Sequence, residues 1–407
     1  MNYSVKNIYG KTNNNKVTVS VPGSKSITAR ALLLAALAEG TSTLYGAQFS
    51  DDCQTFIECL KALKISVEVD GTTVKVTGCG GRLSIKEASL NVGSAGTAAR
   101  FLPAFLAFQK GKFTLNCSEQ MKSRPQAPLI NALKSVGAKF TFLEKENSYP
   151  FIIEGTDSPE TYAEVDVTKS SQYLSAVLMS AVCAKKPFTV KPVGSHGNDY
   201  INMTLDMMWS FGVTVEDKDG KYIVDGGYLP KKYDIEPDVS AACYFYAINK
   251  ILGTNIEVRG IMPHSMQGDI KFINLLKNFN GGKVDMGSFS DQALTLAAIA
   301  PYLESPTEIC NVAHIRRQEC DRINAMAVNL KAMNVKCEER EDGIKIYPSA
   351  PKPAHINTFG DHRVAMSFAL TGLRSDGIVI ENAEVCKKTF KNYFTVLDGV
   401  VKDITAK

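Results

Sequence analysis

Six alanine-rich segments recur along the chain, each led by glycine or small polar residues and each followed by a short alternating strand. They begin near Lys25, Ser94, Ser170, Asp238, Asp291 and Asp361. The strands predicted after them are Thr41–Leu44, Phe113–Leu115, Phe188–Val190, Ile256–Val258, Glu308–Ile309 and Ile378–Ile380. Taking Thr28, Thr97, Ser171, Ala241, Ala293 and Val364 as equivalent points gives intervals of 69, 74, 70, 52 and 71 residues, four of the five near seventy. A period of this kind restricts the fold to copies of one supersecondary unit. After each strand comes an amphipathic segment closing on a related phrase, as in Leu60-Lys61-Ala62-Leu63, Leu133-Lys134-Ser135-Val136 and Leu330-Lys331-Ala332-Met333. It runs into another strand, so the unit reads helix, strand, helix, strand with extra strands between.

At 407 residues, 44% of them apolar, the chain is long enough for two domains. A formal net charge of +4 comes from scattered basic residues, without the stripe that marks nucleic-acid binding. The ten cysteines contain no Cys-x-x-Cys pair, and only five histidines accompany them, so neither a disulfide framework nor a metal site is expected. Reduced thiols fit a cytoplasmic protein. The N-terminus has no apolar core of a signal peptide, and no window approaches ~18 uninterrupted apolar residues, so no membrane partner is expected.

Alanine-rich helices are the buried ones, and their polar leading residues then gather at helix N-termini, where free N–H groups and the helix dipole attract anions. The first such start, Pro22-Gly23-Ser24-Lys25-Ser26-Ile27-Thr28-Ala29-Arg30, carries hydroxyl side chains and places the cations Lys25 and Arg30 on its first turns. The second, Gly93-Ser94-Ala95-Gly96-Thr97-Ala98-Ala99-Arg100, supplies glycines that let a ligand approach backbone. Ser123-Arg124-Pro125 places an arginine ahead of a helix-starting proline, and Ser170-Ser171-Gln172 offers hydroxyls and an amide. The C-terminal half adds Asp291, then Gln318-Glu319-Cys320-Asp321-Arg322, Gly360-Asp361-His362-Arg363 and Lys387-Lys388-Thr389-Phe390. The plainer reading of each start is a capped helix, with Arg100 in solvent and His362 in a structural hydrogen bond. Together they describe proton transfer between two small anions, with cations holding both and two separated carboxylates as acid and base.

In this order, Pro-Gly-Ser-Lys-Ser-Ile-Thr-x-Arg-Ala-Leu, Ala-Gly-Thr-Ala-x-Arg, Arg-Pro, Ser-Ser-Gln, Glu-x-Asp-Arg, Asp-His-Arg and Lys-Thr-Phe resemble the 5-enolpyruvylshikimate-3-phosphate synthase family over residues 20–395. The resemblance implies a two-domain inverse α/β barrel-like fold, the enolpyruvyl transferase fold, with six βαβαββ repeats, three per domain. It places the domains at 1–22 plus 229–407, with the acid/base residues, and at 23–228. It implies transfer of the enolpyruvyl group of phosphoenolpyruvate to the 5-hydroxyl of shikimate 3-phosphate, with release of phosphate and no cofactor. By the same resemblance Asp291 is the base, Glu319 the acid, and Lys25 a further catalytic residue. Lys25, Ser26, Arg30, Ser170, Ser171, Gln172, Asp291 and Gln318 hold shikimate 3-phosphate. Lys25, Ser94, Gly96, Arg124, Gln172, Arg322, Arg363 and Lys388 hold phosphoenolpyruvate.

Four positions depart from the family pattern: Ser94 and Gln318, where Asn and Lys are common, His314 in place of an expected Asn, and the segment from Ser195 to Asp199 ahead of Tyr200. The sister transferase acting on UDP-N-acetylglucosamine carries Lys-Asn in the first motif and a loop cysteine, whereas Lys25 is followed here by Ser26 and the region before Arg124 offers only Cys117. A non-catalytic, anion-binding relative is the alternative of another class. The chain is expected to act as a monomer, and its single tryptophan, Trp209, to pack in the core.

Overall fold

The computed structural model describes residues 1–194 and 197–406, so Ser195 lies outside the described residues. The chain divides into two compact units, Met1–Pro22 with Pro237–Lys407, and Gly23–Glu236.

In each unit, three helices are apolar on nearly every side and are buried accordingly. In the Gly23–Glu236 unit they are Lys25–Leu37, Ala98–Ala107 and Gln172–Ser180. In the other they are Val239–Leu252, Ala293–Ile299 and His362–Gly372, which all pack against one another. Every residue of Ala98–Ala107, Ala293–Ile299 and His362–Gly372 is buried. The amphipathic helices predicted after each strand are Asp51–Ala62, Ala127–Ser135, Asn198–Ser210, Ile270–Asn278, Arg322–Ala332 and Tyr393–Thr405. Their polar faces meet water, and Trp209 stands on one of them at 69% exposure, which corrects the expectation of a core tryptophan.

The strands form one small sheet per repeat. Glu87–Asn91 pairs in parallel with Gly111–Asn116, which pairs antiparallel with Phe151–Gly155, followed by Lys139–Phe142 at the edge. The same order recurs in Tyr162–Asp166, Phe188–Val193, Lys221–Val224, Val215–Lys218 and in Gly282–Asp285, Thr307–Cys310, Gly343–Ile346, Cys337–Arg340. Two sheets in the terminal unit are shorter: Lys16–Val19 with Asn255–Val258, and Ala354–Ile356 with Ile378–Ile380 and Tyr3–Ser4.

At the two chain crossings the leading strands are exchanged between repeats, each pair staying inside its own unit. The sheet built on Thr41–Tyr45 takes its parallel neighbour from Lys232–Asp234, with Tyr233 opposite Leu44, while Asn255–Val258 takes its neighbour from Lys16–Val19, with Ile256 opposite Val17. This exchange moves the second boundary from the expected 228/229 to 236/237, because Lys232–Asp234 pairs inside the Gly23–Glu236 unit.

Repetition extends to the helix ends. Gly78 and Gly155, each at the end of a hairpin, lie against the last carbonyls of Lys25–Leu37 and Ala98–Ala107, where a Cβ would come within 2.2 Å of Ala38 O and 2.1 Å of Leu106 O. The residues after them close these ends, Cys79 N donating to Ala36 O at 2.9 Å and Thr156 N to Ala107 O at 3.0 Å. Inside Ala98–Ala107, Pro103 has no N–H for the carbonyl of Ala99. The buried Tyr149 hydroxyl donates to that carbonyl at 3.0 Å instead. Tyr149→Phe orphans the carbonyl, and we expect urea unfolding to show a loss of about 1–2 kcal/mol with the fold intact; an unchanged midpoint would refute this account of Pro103.

Candidate functional site

In the Gly23–Glu236 unit, Ser24 caps the first buried helix, its Oγ accepting from Ile27 N at 3.4 Å. Gly23 is required by close packing, since a Cβ would lie 1.9 Å from Gly46 O. The segment after Gly46 then clamps the turn: Gln48 Nε2 donates to Gly23 O at 3.0 Å and Gln48 N to Thr28 Oγ1 at 3.1 Å. Lys25 and Ser26, on the first turn, are partly exposed, and Lys25 Nζ lies 3.5 Å from the buried Asp52 carboxylate.

Arg30 is 1% exposed. Its Nε donates to Thr204 Oγ1 at 2.8 Å, Nη1 to Ser26 O at 3.1 Å, and Nη2 to Ser175 Oγ and Tyr200 O, both at 3.3 Å. The rings of Phe101 and Tyr200 flank it at 5.5 and 6.0 Å. All of these acceptors are neutral, and burial pushes the guanidinium down to about 10. A buried cation among neutral groups leaves positive potential beneath the Lys25–Ser26 turn. Ser170 and Ser171 precede the helix Gln172–Ser180, with Gln172 N donating to Ser170 Oγ at 3.3 Å.

A second basic place surrounds Gly96. A Cβ there would lie 3.0 Å from Arg124 Nη1 and 3.3 Å from Arg100 Nη1. Arg100 is buried, contrary to the solvated reading, and donates to Gly96 O at 3.1 Å and toward Met121 Sδ. Ser94 and Arg124 are partly exposed at this place. The helix after Arg124 begins at Ala127, with Pro128 rather than Pro125 in its first turn, so Pro125 instead offers its carbonyl to Tyr173 at 2.7 Å.

The unit Met1–Pro22 with Pro237–Lys407 collects carboxylates around two arginines. Arg322 is 2% exposed; its Nε donates to Asp361 Oδ2 at 2.7 Å, Nη1 to Asp291 Oδ1 at 3.0 Å and Nη2 to Glu319 Oε2 at 3.0 Å. Burial opposes its charge, but Asp361, Glu319 and Asp291 outweigh burial and hold its pKa above the ordinary value. Arg363 Nη2 donates to the other Asp291 oxygen at 2.7 Å. Asp291 is therefore fixed by one guanidinium on each oxygen, yet its side chain keeps 22% exposure. Gln318 Oε1 accepts from Arg322 Nη1, so this departure from the family pattern supplies an acceptor for the central arginine.

Asp361 and Asp321 cap the helices that carry the two arginines, accepting from Arg363 N at 2.8 Å and Asn324 N at 2.9 Å. Lys388 is buried, His362 is buried with Nδ1 3.4 Å from Asp361 Oδ1, and His314 Nε2 lies 2.8 Å from Ser290 Oγ. Among the described residues no group of three His, Cys, Asp or Glu side chains is arranged to hold a metal ion.

Sequence reasoning missed Asp269, in Gln267-Gly268-Asp269 ahead of Ile270–Asn278. It is 4% exposed and accepts from Gln292 Nε2 at 3.0 Å and from Ser240 Oγ. Burial, and after it the Asp291 carboxylate, push Asp269 up to about 6. An acid raised in the folded state stabilises the fold below its unfolded pKa, and that contribution is lost as pH rises through the folded value. Between pH 4 and 7 the wild type should therefore lose stability, on the order of 3 kcal/mol, relative to Asp269→Asn. Parallel urea titrations across that window check this, and parallel curves would refute it.

A family model described as EPSP synthase (3-phosphoshikimate 1-carboxyvinyltransferase) matches residues 10–281 and 275–397. The 3-phosphoshikimate 1-carboxyvinyltransferase of Trichormus variabilis is 40% identical over 403 residues, spanning 93% of this chain and 95% of that one. The protein named 3-phosphoshikimate 1-carboxyvinyltransferase 2 of Halalkalibacterium halodurans is 35% identical, spanning 94% and 91%. The fold matches the EPSP synthase structure from Acinetobacter baumannii, with a TM-score of 0.82 at 23% identity over 98% of both chains. It also matches the enolpyruvyl transferase NikO from Streptomyces tendae, with a TM-score of 0.73 at 13% identity over 98% and 97%. With nearly its whole length matched in sequence and its repeats matched in structure, the chain belongs to the EPSP synthase family.

Proposed function

We propose that this protein transfers the enolpyruvyl group of phosphoenolpyruvate to the 5-hydroxyl of shikimate 3-phosphate and releases phosphate, a step in making aromatic amino acids. The observation that carries this reading is Asp291, a partly exposed carboxylate with Arg322 at 3.0 Å and Arg363 at 2.7 Å on its two oxygens, inside a family of that activity. The arginines fix its orientation, so its remaining lone pairs can accept a proton without loss of position.

In this reading Asp291 takes the proton of the substrate hydroxyl while its oxygen bonds to C2 of phosphoenolpyruvate, and Glu319 gives a proton to the C3 methylene. The tetrahedral intermediate then loses phosphate by cleavage of the C2–O bond as C3 gives up a proton and the double bond re-forms. The phosphorus keeps its bonds, so oxygen-18 in the bridging position of phosphoenolpyruvate should leave entirely with phosphate.

Shikimate 3-phosphate is held by Lys25, Ser26, Ser170, Ser171, Gln172, Asp291 and Gln318, with Arg30 acting chiefly as a fixed positive charge beneath the Lys25–Ser26 turn because of its burial. Phosphoenolpyruvate is held by Lys25, Ser94, Gly96, Arg124, Gln172, Arg322, Arg363 and Lys388. Both ligands are multiply charged and repel each other, and these cations offset that repulsion. No helix among the described residues is long and apolar enough to cross a membrane. We place the activity in the cytoplasm and in a single chain, with a mass near 44.3 kDa by light scattering as the expected result.

Purified protein should release phosphate only when both phosphoenolpyruvate and shikimate 3-phosphate are present, and not with UDP-N-acetylglucosamine. Asp291→Ala should lower kcat at least about a hundredfold. Tight binding of shikimate 3-phosphate without release in the wild type would instead identify an anion-binding relative. Gly96→Ala presses a methyl group on Arg124 and should raise the KM for phosphoenolpyruvate several-fold while leaving the unfolding midpoint in place; an unchanged KM would remove Arg124 from that ligand.

A further inference from the structure

Two independent paths connect Asp269 to Asp291. In one, Ser240, on the first turn of Val239–Leu252, donates its hydroxyl to Asp269 Oδ2, while its oxygen lies 3.5 Å from Arg363 Nη2. That same nitrogen donates to Asp291 Oδ2 at 2.7 Å. In the other, Gln292, the chain neighbour of Asp291, donates Nε2 to Asp269 Oδ2 at 3.0 Å. Its amide cannot turn freely, because Thr295 Oγ1 donates to Gln292 Oε1 at 3.0 Å. Asp269 is 4% exposed and Gln292 wholly buried, so water does not loosen either path.

We propose that Asp269 is a positioning residue for Asp291: it holds Ser240 and Gln292, and thereby fixes Arg363 and the turn that bears Asp291. This rests on the reading in which Asp291 takes the substrate proton. The two carboxylates also act on each other through their charges. Asp291 disfavours ionisation of Asp269, and an ionised Asp269 must favour protonation of Asp291 to the same extent. Among the described residues, the charged and titratable groups facing Asp269 are Asp291 and Arg363, with Cys243 from the start of Val239–Leu252; Asp238 acts in turn on Cys243, and Arg322 lies beyond Asp291. Cys243, whose thiol burial pushes up, donates to the Asp269 carbonyl at 3.7 Å and stays neutral. Arg363 is thus the cation between the two carboxylates, and Ser240 sets its place.

The test is phosphate release against pH in the wild type, Asp269→Asn, Ser240→Ala and the double variant, each checked for folding by circular dichroism. Asp269→Asn should lower kcat about tenfold, move the acid limb of kcat/KM to lower pH by about half a unit or more, and leave both KM values within about twofold. Ser240→Ala should move kcat in the same direction, and the double variant should be no worse than Asp269→Asn alone, because Asp269→Asn already cuts the path on which Ser240 lies. A wild-type kcat and acid limb in Asp269→Asn would overturn the proposal. Should Asp269→Asn fail to fold, Ser240→Ala decides: a lowered kcat at unchanged KM supports the proposal, and wild-type kinetics overturn it. A wild type that releases no phosphate would overturn the transferase reading itself, and this proposal with it, before any variant is compared.

Discussion

Near-complete burial of the alanine-rich helices is the constraint on which the rest of the structure depends. A helix apolar on every side has no face to offer water, so it must be enclosed by other helices and by its own repeat's sheet. Only its ends remain for polar groups, and each helix start then carries orphan N–H groups and a dipole. Small side chains let three such helices share one interior, and the closeness shows in Gly78 and Gly155, where the chain runs so near the helix ends that no Cβ fits. Charged side chains gather toward the starts, and the polar groups deeper in these helices, such as Ser175 and Thr371, are small hydroxyls that find partners in the packing.

The two units handle charge differently at those starts. Around Arg322 and Arg363, Asp291, Glu319 and Asp361 compensate the guanidinium charge, and removing any one partner from so dry a place would strand another. Among the described residues Arg30 donates to hydroxyls and carbonyls, neutral groups that meet its hydrogen bonds without compensating its charge. The first arrangement holds a carboxylate in a fixed orientation, and the second stores positive potential for an anion that arrives from outside.

Much of this was legible in the chain. Several helix starts are read as caps, and there Ser24, Asp321 and Asp361 each accept a helix N–H; Asp238, read only as the start of an alanine-rich segment, does the same. The strands after the buried helices fall where the alternation put them, extended by one to three residues at most of them. Asp269 was not legible, since it follows Gln267-Gly268 in a segment with no periodic signal, and an isolated acid before a helix looks like any cap. Trp209 was misread, and Arg100 was left open between solvent and the site, for one reason: a single polar or aromatic residue on a helix does not declare which neighbour its face will meet.

The sequence by itself determined the repeat, the identity of the buried helices and the residues that lead them, because periodicity and helix capping act over a few residues and leave their mark locally. Tertiary structure alone decided that Lys232–Asp234 joins the sheet of Thr41–Tyr45, that Gln318 serves Arg322, and that Asp269 faces Asp291 through Ser240 and Gln292. Those pairings join segments far apart in the chain or fix side-chain directions at a turn. Their energies depend on distance and burial, and neither quantity exists until the chain has closed around them.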